Sequence, residues 1–187
     1  MIDRRSTVIS VRGEQGSAIV NVHDRQGGVM CEFDPRCSGP DHLVDDALAL
    51  IADGRWAITG VLGDAARSPM TYTTGLTEHG RPELVMTGLP PDLAGVLLEH
   101  AARSVIADRS FGPGSDVPAR LRRPVRFRAV DVIDSEPMRL TRIVYGRQFD
   151  AVQLVWPDDD GRYPWQPGYS IPTQVQPLLG VPVAEAA

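Results

Sequence analysis

TYTTGLTEHGRPELVMTGLP, residues 71–90, sets a hydroxyl-rich polar turn between two runs of β-branched and apolar residues. Threonine, tyrosine, valine and methionine on either side favour extended chain, and Glu78-His79-Gly80 is a natural turn in which Gly80 can take a positive φ. The stretch therefore reads as strand, turn, strand. Just upstream, RWAITGVLG (residues 55–63) is another β-rich run bounded by glycines. The Arg67-Ser68-Pro69 break separates it from the next run, so the three together predict an antiparallel meander.

Helices flank this meander. Asp41 offers a cap, Leu43, Ala47, Leu48, Leu50 and Ile51 form an apolar stripe, and Gly54 supplies a stop. Pro90 and Pro91 sit where a first helical turn tolerates proline. Leu93, Val96, Leu97, Ala101 and Val105 then recur at helical spacing as far as Ala107. Further on, FGPGSDVP reads as loop, RPVRFRAVDV as strand, SEPMRLTRIVYG as a shorter helix and AVQLVW as strand. PDDDGRYPW is a turn that leads into a proline-rich tail. The expected fold is α+β, a mostly antiparallel sheet with helices packed on one face, in a single domain. Before it, residues 7–11 and 18–22 predict a hairpin around Gly13-Glu14-Gln15-Gly16, followed by a glycine- and proline-rich loop. The expected division is an appendage over 1–40, a globular α+β unit over 41–180 and a tail over 181–187.

Composition bounds the function. A chain of 187 residues, 42% hydrophobic, suits one core and not two. No run of 18 apolar residues occurs and the first residues lack a continuous apolar segment, so neither a membrane span nor a secretory signal is expected and the cytoplasm is the default. Two cysteines fit a reducing compartment. All 19 basic residues are arginine and Asn21 is the only asparagine, the codon signature of a GC-rich bacterium or its phage. Without lysine, phosphate-loop nucleotidases, protein kinases and Schiff-base enzymes are excluded. A net charge of −5 argues against broad nucleic-acid binding, which needs many phosphate contacts.

Four constellations bear chemistry. Around the opening turn, Tyr72, Thr73 and Thr74 bring hydroxyls, Glu78 and Glu83 carboxylates, and His79 a group that titrates near neutrality and could act as general acid or base. An ordinary polar turn uses the same residues. In WPDDDGRYPW, three consecutive aspartates suit a turn better than a magnesium site, which recruits carboxylates from separate elements. Trp156, Tyr163 and Trp165 suit either core packing or a pocket wall. Cys31, Cys37 and His42, with His23 upstream, offer zinc-type ligands at a spacing looser than a C-x2-C knuckle. Arg126 and Arg128, two apart, share one strand face that could bind an anion, opposite Val125 and Phe127. The G-x-S-x-G, H-E-x-x-H, G-x-G-x-x-G and C-x-x-C motifs are absent.

Tyr72 to Leu84 (YTTGLTEHGRPEL) and Gln153 to Asp158 (QLVWPD) together resemble the domain of unknown function 4262 family, whose members typically read Tyr-Thr-x-Gly-Leu-Thr-Glu-His-Gly-x-Pro-Glu-Leu and Gln-Leu-Val-Trp-Pro-Asp. The resemblance covers about Asp41 to Gly180. It departs before the first helix, where many members carry a compact Cys-x-x-Cys-Asp-His-Pro and this chain spaces its cysteines more widely. The family implies no established reaction. Its pattern does specify hydroxyls, His79 and Glu83 together, more than a turn requires.

The leading expectation is a pocket for a polar small molecule, made by the turn from Tyr72 to Glu83 and walled by the segment from Trp156 to Trp165. Tyr72, Thr74, Arg81, Trp156, Tyr163 and Trp165 would bind the ligand, and His79, oriented by Glu83, would transfer protons if the protein is an enzyme. No cofactor or metal is assigned. The alternative is a non-catalytic interaction, regulatory or defence accessory module, docking on a partner or a second subunit through its proline-rich tail. A metalloprotein using Cys31, Cys37 and His42 ranks third.

Overall fold

The computed structural model describes residues 11–12, 18–22, 40–107, 111–120 and 124–182. In chain order its elements are β1 (Val11–Arg12), β2 (Ala18–Val22), α1 (Pro40–Ala52), β3 (Ala57–Val61), β4 (Met70–Thr74), a 3-10 turn (Leu76–His79), β5 (Glu83–Thr87), α2 (Pro91–Ala107), β6 (Asp116–Arg120), β7 (Pro124–Asp131), α3 (Arg139–Tyr145) and β8 (Ala151–Val155). Residues 7–10 and 13–16 of the expected hairpin lie outside the described residues, as do His23, Cys31, Cys37 and residues 183–187. For His42 the backbone in α1 is described and the side chain is not.

The strands form one sheet in the order β1-β2-β3-β4-β5-β8-β7-β6. The meander is present as expected: Ala57 faces Thr74, and Tyr72 faces Val85, both in antiparallel pairs. β5 and β8 run parallel, with Glu83 beside Ala151 and Val85 beside Gln153. β2 and β3 are also parallel and all other neighbours antiparallel. The fold is thus α+β with a mixed, mostly antiparallel sheet.

β6 begins within the stretch 111–118 expected to be loop and runs on to Arg120. Its Pro118, opposite Arg126, lacks an N–H, and β6 ends the sheet, where a missing ladder donor is tolerated. Edge position accounts for a strand that its local sequence disguises.

Helices occupy both faces of the sheet, a correction to the single helical face expected. Every residue of β4, β5 and β8 is buried, and strands buried on both sides need cover on both sides. On one face α2 presents Ala94, Leu97, Leu98, Ala101, Ala102 and Val105, spaced three and four apart so that they form one stripe. That stripe packs on Ile58, Leu84, Met86, Phe127 and Leu154. On the other face Ala47 of α1 and Leu140 of α3 pack with Met70, Tyr72 and Val85. Alternation along β5 sends Leu84 and Met86 to α2 and Val85 to the opposite side.

The proline-rich segment completes the second face where no helix reaches. Val130 and Val155 pack there with Tyr163, Trp165 and Leu178. Two buried glutamines pin the segment. Gln153 Nε2 donates to the Thr87 hydroxyl and the Pro177 carbonyl, both at 2.9 Å, and its Oε1 accepts the Leu179 N–H at 2.8 Å. Gln176 accepts from the Trp156 N–H and donates to the Trp156 carbonyl, each at 2.9 Å. Among the described residues no helix is long and apolar enough to cross a membrane.

Candidate functional site

The loop that joins β4 to β5 is built around one buried carboxylate. Gly75 turns the chain with φ 130°, and a Cβ there would lie 2.9 Å from the Arg55 carbonyl oxygen and from Trp56 Cα, so only glycine lets the loop approach β3 this closely. Leu76 drops into the α2 core. The 3-10 turn follows and ends at Gly80, whose N–H donates to the Thr77 carbonyl at 2.9 Å. Glu83, fully buried at the start of β5, reaches back into this loop. Its Oε1 accepts the Gly75 N–H at 2.9 Å, the Thr77 N–H at 3.0 Å and the Thr77 hydroxyl at 2.9 Å. Its Oε2 accepts the Thr73 hydroxyl at 2.7 Å. A buried carboxylate needs such donors to offset its lost hydration.

The hydroxyls of Tyr72 and Thr74 point away from this loop, toward α3. Tyr72 is 2% exposed and its Oη accepts the Leu140 N–H at 3.2 Å. Burial raises the phenol above its ordinary range, against the Leu140 N–H, the Thr59 hydroxyl and the Arg139 charge, which lower it. Thr74 and Thr141 hydroxyls meet at 2.8 Å, and Thr141 also bonds the Thr73 carbonyl at 3.1 Å. These groups dock a helix. His79 stands exposed on the outside of the loop, its ring edge-on to Trp56 with centroids 6.2 Å apart, while Glu83 is taken up on the inside.

Tyr145, at the end of α3, was not among the expected site residues. Its hydroxyl is buried near two carboxylates: burial first, then the charges of Glu83 and Glu78, push its pKa well above the ordinary phenol range. It stays protonated and able to donate.

The aromatic residues expected as a pocket wall lie at the other end of the sheet. Because β5 and β8 are parallel with Glu83 beside Ala151, Trp156 follows β8 five residues farther along, about 16 Å from that level. There its indole N–H donates to the Thr87 carbonyl at 2.9 Å. Tyr163 donates to the Arg126 carbonyl at 2.9 Å, stacks on Trp165 at 5.2 Å, and has the Arg128 guanidinium over its ring at 5.5 Å. Arg126 and Arg128 both reach Asp116, at 3.6 and 2.9 Å, so that strand face carries its own counter-charge. The aspartate run is divided similarly: Asp158 is buried and accepts the N–H groups of Asp160, Arg162 and Ser170 and the Ser170 hydroxyl, which makes it a turn anchor. Asp159 and Asp160 are exposed.

A cleft of about 580 Å³ opens at the Glu83 end of the sheet. Thr77 and segment 80–82 form one wall, and segments 111–113 and 147–150 face it, with Asp131 and Val152 at the strand ends between them. Arg81 is the one expected ligand-binding residue on its lining. The Glu83 N–H donates to the Asp150 carbonyl at 2.8 Å, so the same residue that shapes the first wall also fixes part of the second. Spacing in the sequence could not reveal this cleft, whose walls come from four segments brought together by the β5, β8 and β7 register. Among the described residues no cluster of histidine, cysteine and carboxylate side chains could hold a metal ion.

A family described as "Domain of unknown function (DUF4262)" matches residues 50–170, a span that includes the loop, the cleft and the Asp158 turn. No curated protein and no solved structure gives a match.

Proposed function

The chain belongs to the domain of unknown function 4262 family, and from that premise we propose that it binds a polar small molecule in the cleft at the Glu83 end of the sheet. One wall is Thr77 and segment 80–82 of the β4–β5 loop. The second is formed by segments 111–113 and 147–150 in place of the Trp156 segment. Thr77, Arg81 and Arg147 are the groups that meet the ligand, with Glu83 as the positioning residue behind them. The observation that supports this most is the four-fold bonding of Glu83: in this chain the buried carboxylate holds a loop, and that loop borders a cleft of ordinary ligand-site volume.

The test is a thermal-shift screen of metabolite pools against the protein, Arg147→Ala and His79→Ala. A ligand at 100 times its Kd adds about 2.7 kcal/mol, which is roughly 5–10 °C in a chain of this size. Hits should disappear in Arg147→Ala and persist in His79→Ala. Hits that survive Arg147→Ala and vanish in His79→Ala would move the site out of the cleft to the exposed histidine.

A further inference from the structure

We infer that the ligand of this cleft is an amino-acid-type zwitterion, an ammonium and a carboxylate carried on one small apolar framework; the inference rests on the cleft being the binding site. The ionisable side chains on its lining are two guanidiniums, Arg81 and Arg147, and two carboxylates, Asp131 and Asp150. Their formal charges cancel, +2 and −2. A ligand with charge of one sign would gain at one pair and be opposed by the other, whereas a zwitterion is complementary to both. Guanidinium suits a carboxylate because its planar fork can donate two parallel hydrogen bonds, and aspartate suits an ammonium as a compact acceptor.

The remaining lining sets what lies between the charges. Phe111 and Phe149, both half-buried, line the same space and offer apolar contact to part of a hydrocarbon or aromatic side group. The backbone N–H of Gly112 donates to the Ser115 hydroxyl at 3.1 Å, which holds the 111–113 wall in place. Gly112 is on the cleft lining, and a Cβ added there would meet no atom within 4 Å, so a side chain can start from it without a backbone clash.

The experiment titrates three matched probes, L-phenylalanine, phenylalanine amide and 3-phenylpropionate, into isotope-labelled protein and follows amide chemical shifts. The same titrations are made on Gly112→Trp and on the double variant Asp131→Asn, Asp150→Asn. Phenylalanine should bind at least about tenfold more tightly than either singly charged analogue, with shifts at residues 80–82 and 147–150. The aspartate double variant should weaken phenylalanine about tenfold or more and bind 3-phenylpropionate more tightly, because the opposing carboxylates are gone. Equal or tighter binding of 3-phenylpropionate or of the amide, lost in Gly112→Trp, would overturn the zwitterion while leaving the cleft as a site. Phenylalanine binding that Gly112→Trp does not weaken, in a variant whose spectrum shows it folded, would overturn the cleft itself. No binding of any probe up to about 10 mM overturns the zwitterion as well.

Discussion

Oε1 of Glu83 accepts the backbone N–H of Gly75 at 2.9 Å, a bond that closes the β4–β5 loop from inside. The two residues answer each other. Gly75 can hold φ 130° and lie against Arg55 and Trp56, which turns its N–H inward. Glu83 brings a carboxyl group into a place shielded from solvent, where that N–H and its neighbours replace the hydrogen bonds it would make to water. A motif with a histidine between two carboxylates invites a catalytic reading. Here the inner carboxylate is spent on architecture, and what it secures is the position of Thr77, Arg81 and Pro82 at the cleft.

Replacing Glu83 should therefore damage folding before anything else. Glu83→Ala leaves the Gly75 and Thr77 N–H groups and two threonine hydroxyls without their acceptor, and should cost about 3–4 kcal/mol; Glu83→Gln keeps one carbonyl oxygen and should cost about half of that. Urea unfolding measures both. Wild-type midpoints in either variant would mean that the carboxylate does not anchor the loop.

Two glycines of the same loop should respond differently. Gly75→Ala meets backbone atoms at 2.9 Å in addition to its positive φ, for an expected loss of about 2–4 kcal/mol. Gly80 has φ 64° but open space around it, so Gly80→Ala should cost only about 1 kcal/mol, and Gly80→Asn less. Equal losses at the two positions would show that backbone strain alone matters and that the contact with Arg55 and Trp56 does not.

How much of this was legible in the sequence depends on how local each feature is. The meander could be read because its β-rich runs alternate with glycine-bounded turns, and α2 because apolar residues recur at helical spacing from Leu93 to Val105, although Leu93 and Val96 are exposed and Ala94, Leu98 and Ala102 complete the buried stripe instead. β6 could not, since Pro118 and the Gly112-Pro113-Gly114 run before it look like loop until the edge position excuses them. The parallel pairing of β5 with β8 joins residues 68 apart, Glu83 and Ala151, and no local pattern encodes it. That pairing decides the site. It sets Trp156 at the far end from the loop and brings segment 147–150 to the near end, so Arg81 emerged as a cleft residue while Trp156, Tyr163 and Trp165 packed elsewhere.

Tyr72→Phe tests whether the tyrosine serves the helix. The N-cap of α3 is Met138, whose side chain offers no hydrogen bond, and the Tyr72 hydroxyl supplies an acceptor for Leu140 instead. Its removal leaves a buried N–H unpaired and should lower stability by about 1–2 kcal/mol. Hydrogen exchange at Leu140 should accelerate, and binding in the cleft should be unchanged. Exchange at wild-type rates would remove Tyr72 from the docking of α3.

Asp158 gives the fold an acid-sensitive turn. Burial favours its neutral form, but the hydrogen bonds from Arg162, Ser170 and Asp160 outweigh this and hold its pKa below the ordinary 3.8. With the folded pKa lowered, the unfolded chain binds the proton first as pH falls, so the stabilisation is complete above about pH 4 and is lost below it, through the folded value. Asp158→Asn should lie below wild type by a constant margin from pH 7 to about pH 4 and converge on it in stronger acid. Urea midpoints across that range check the sign; a margin that widened in acid would refute it.

Gln153→Leu tests whether the proline-rich segment is a strap or a free tail. The side chain is buried and makes three bonds, two of them to Pro177 and Leu179, while Gly88 lies so close to the segment that a Cβ there would clash with the Val175 carbonyl oxygen. Leucine fills much of the volume but leaves the Leu179 N–H unpaired, for an expected loss of about 2–3 kcal/mol. Because the segment has no ladder of its own to hold it, the loss should appear first as local opening. Limited proteolysis should then cut between residues 170 and 182 at conditions where the sheet is still folded. Cleavage there at the wild-type rate would mean that the packing of Tyr163, Trp165 and Leu178 holds the strap without help from Gln153.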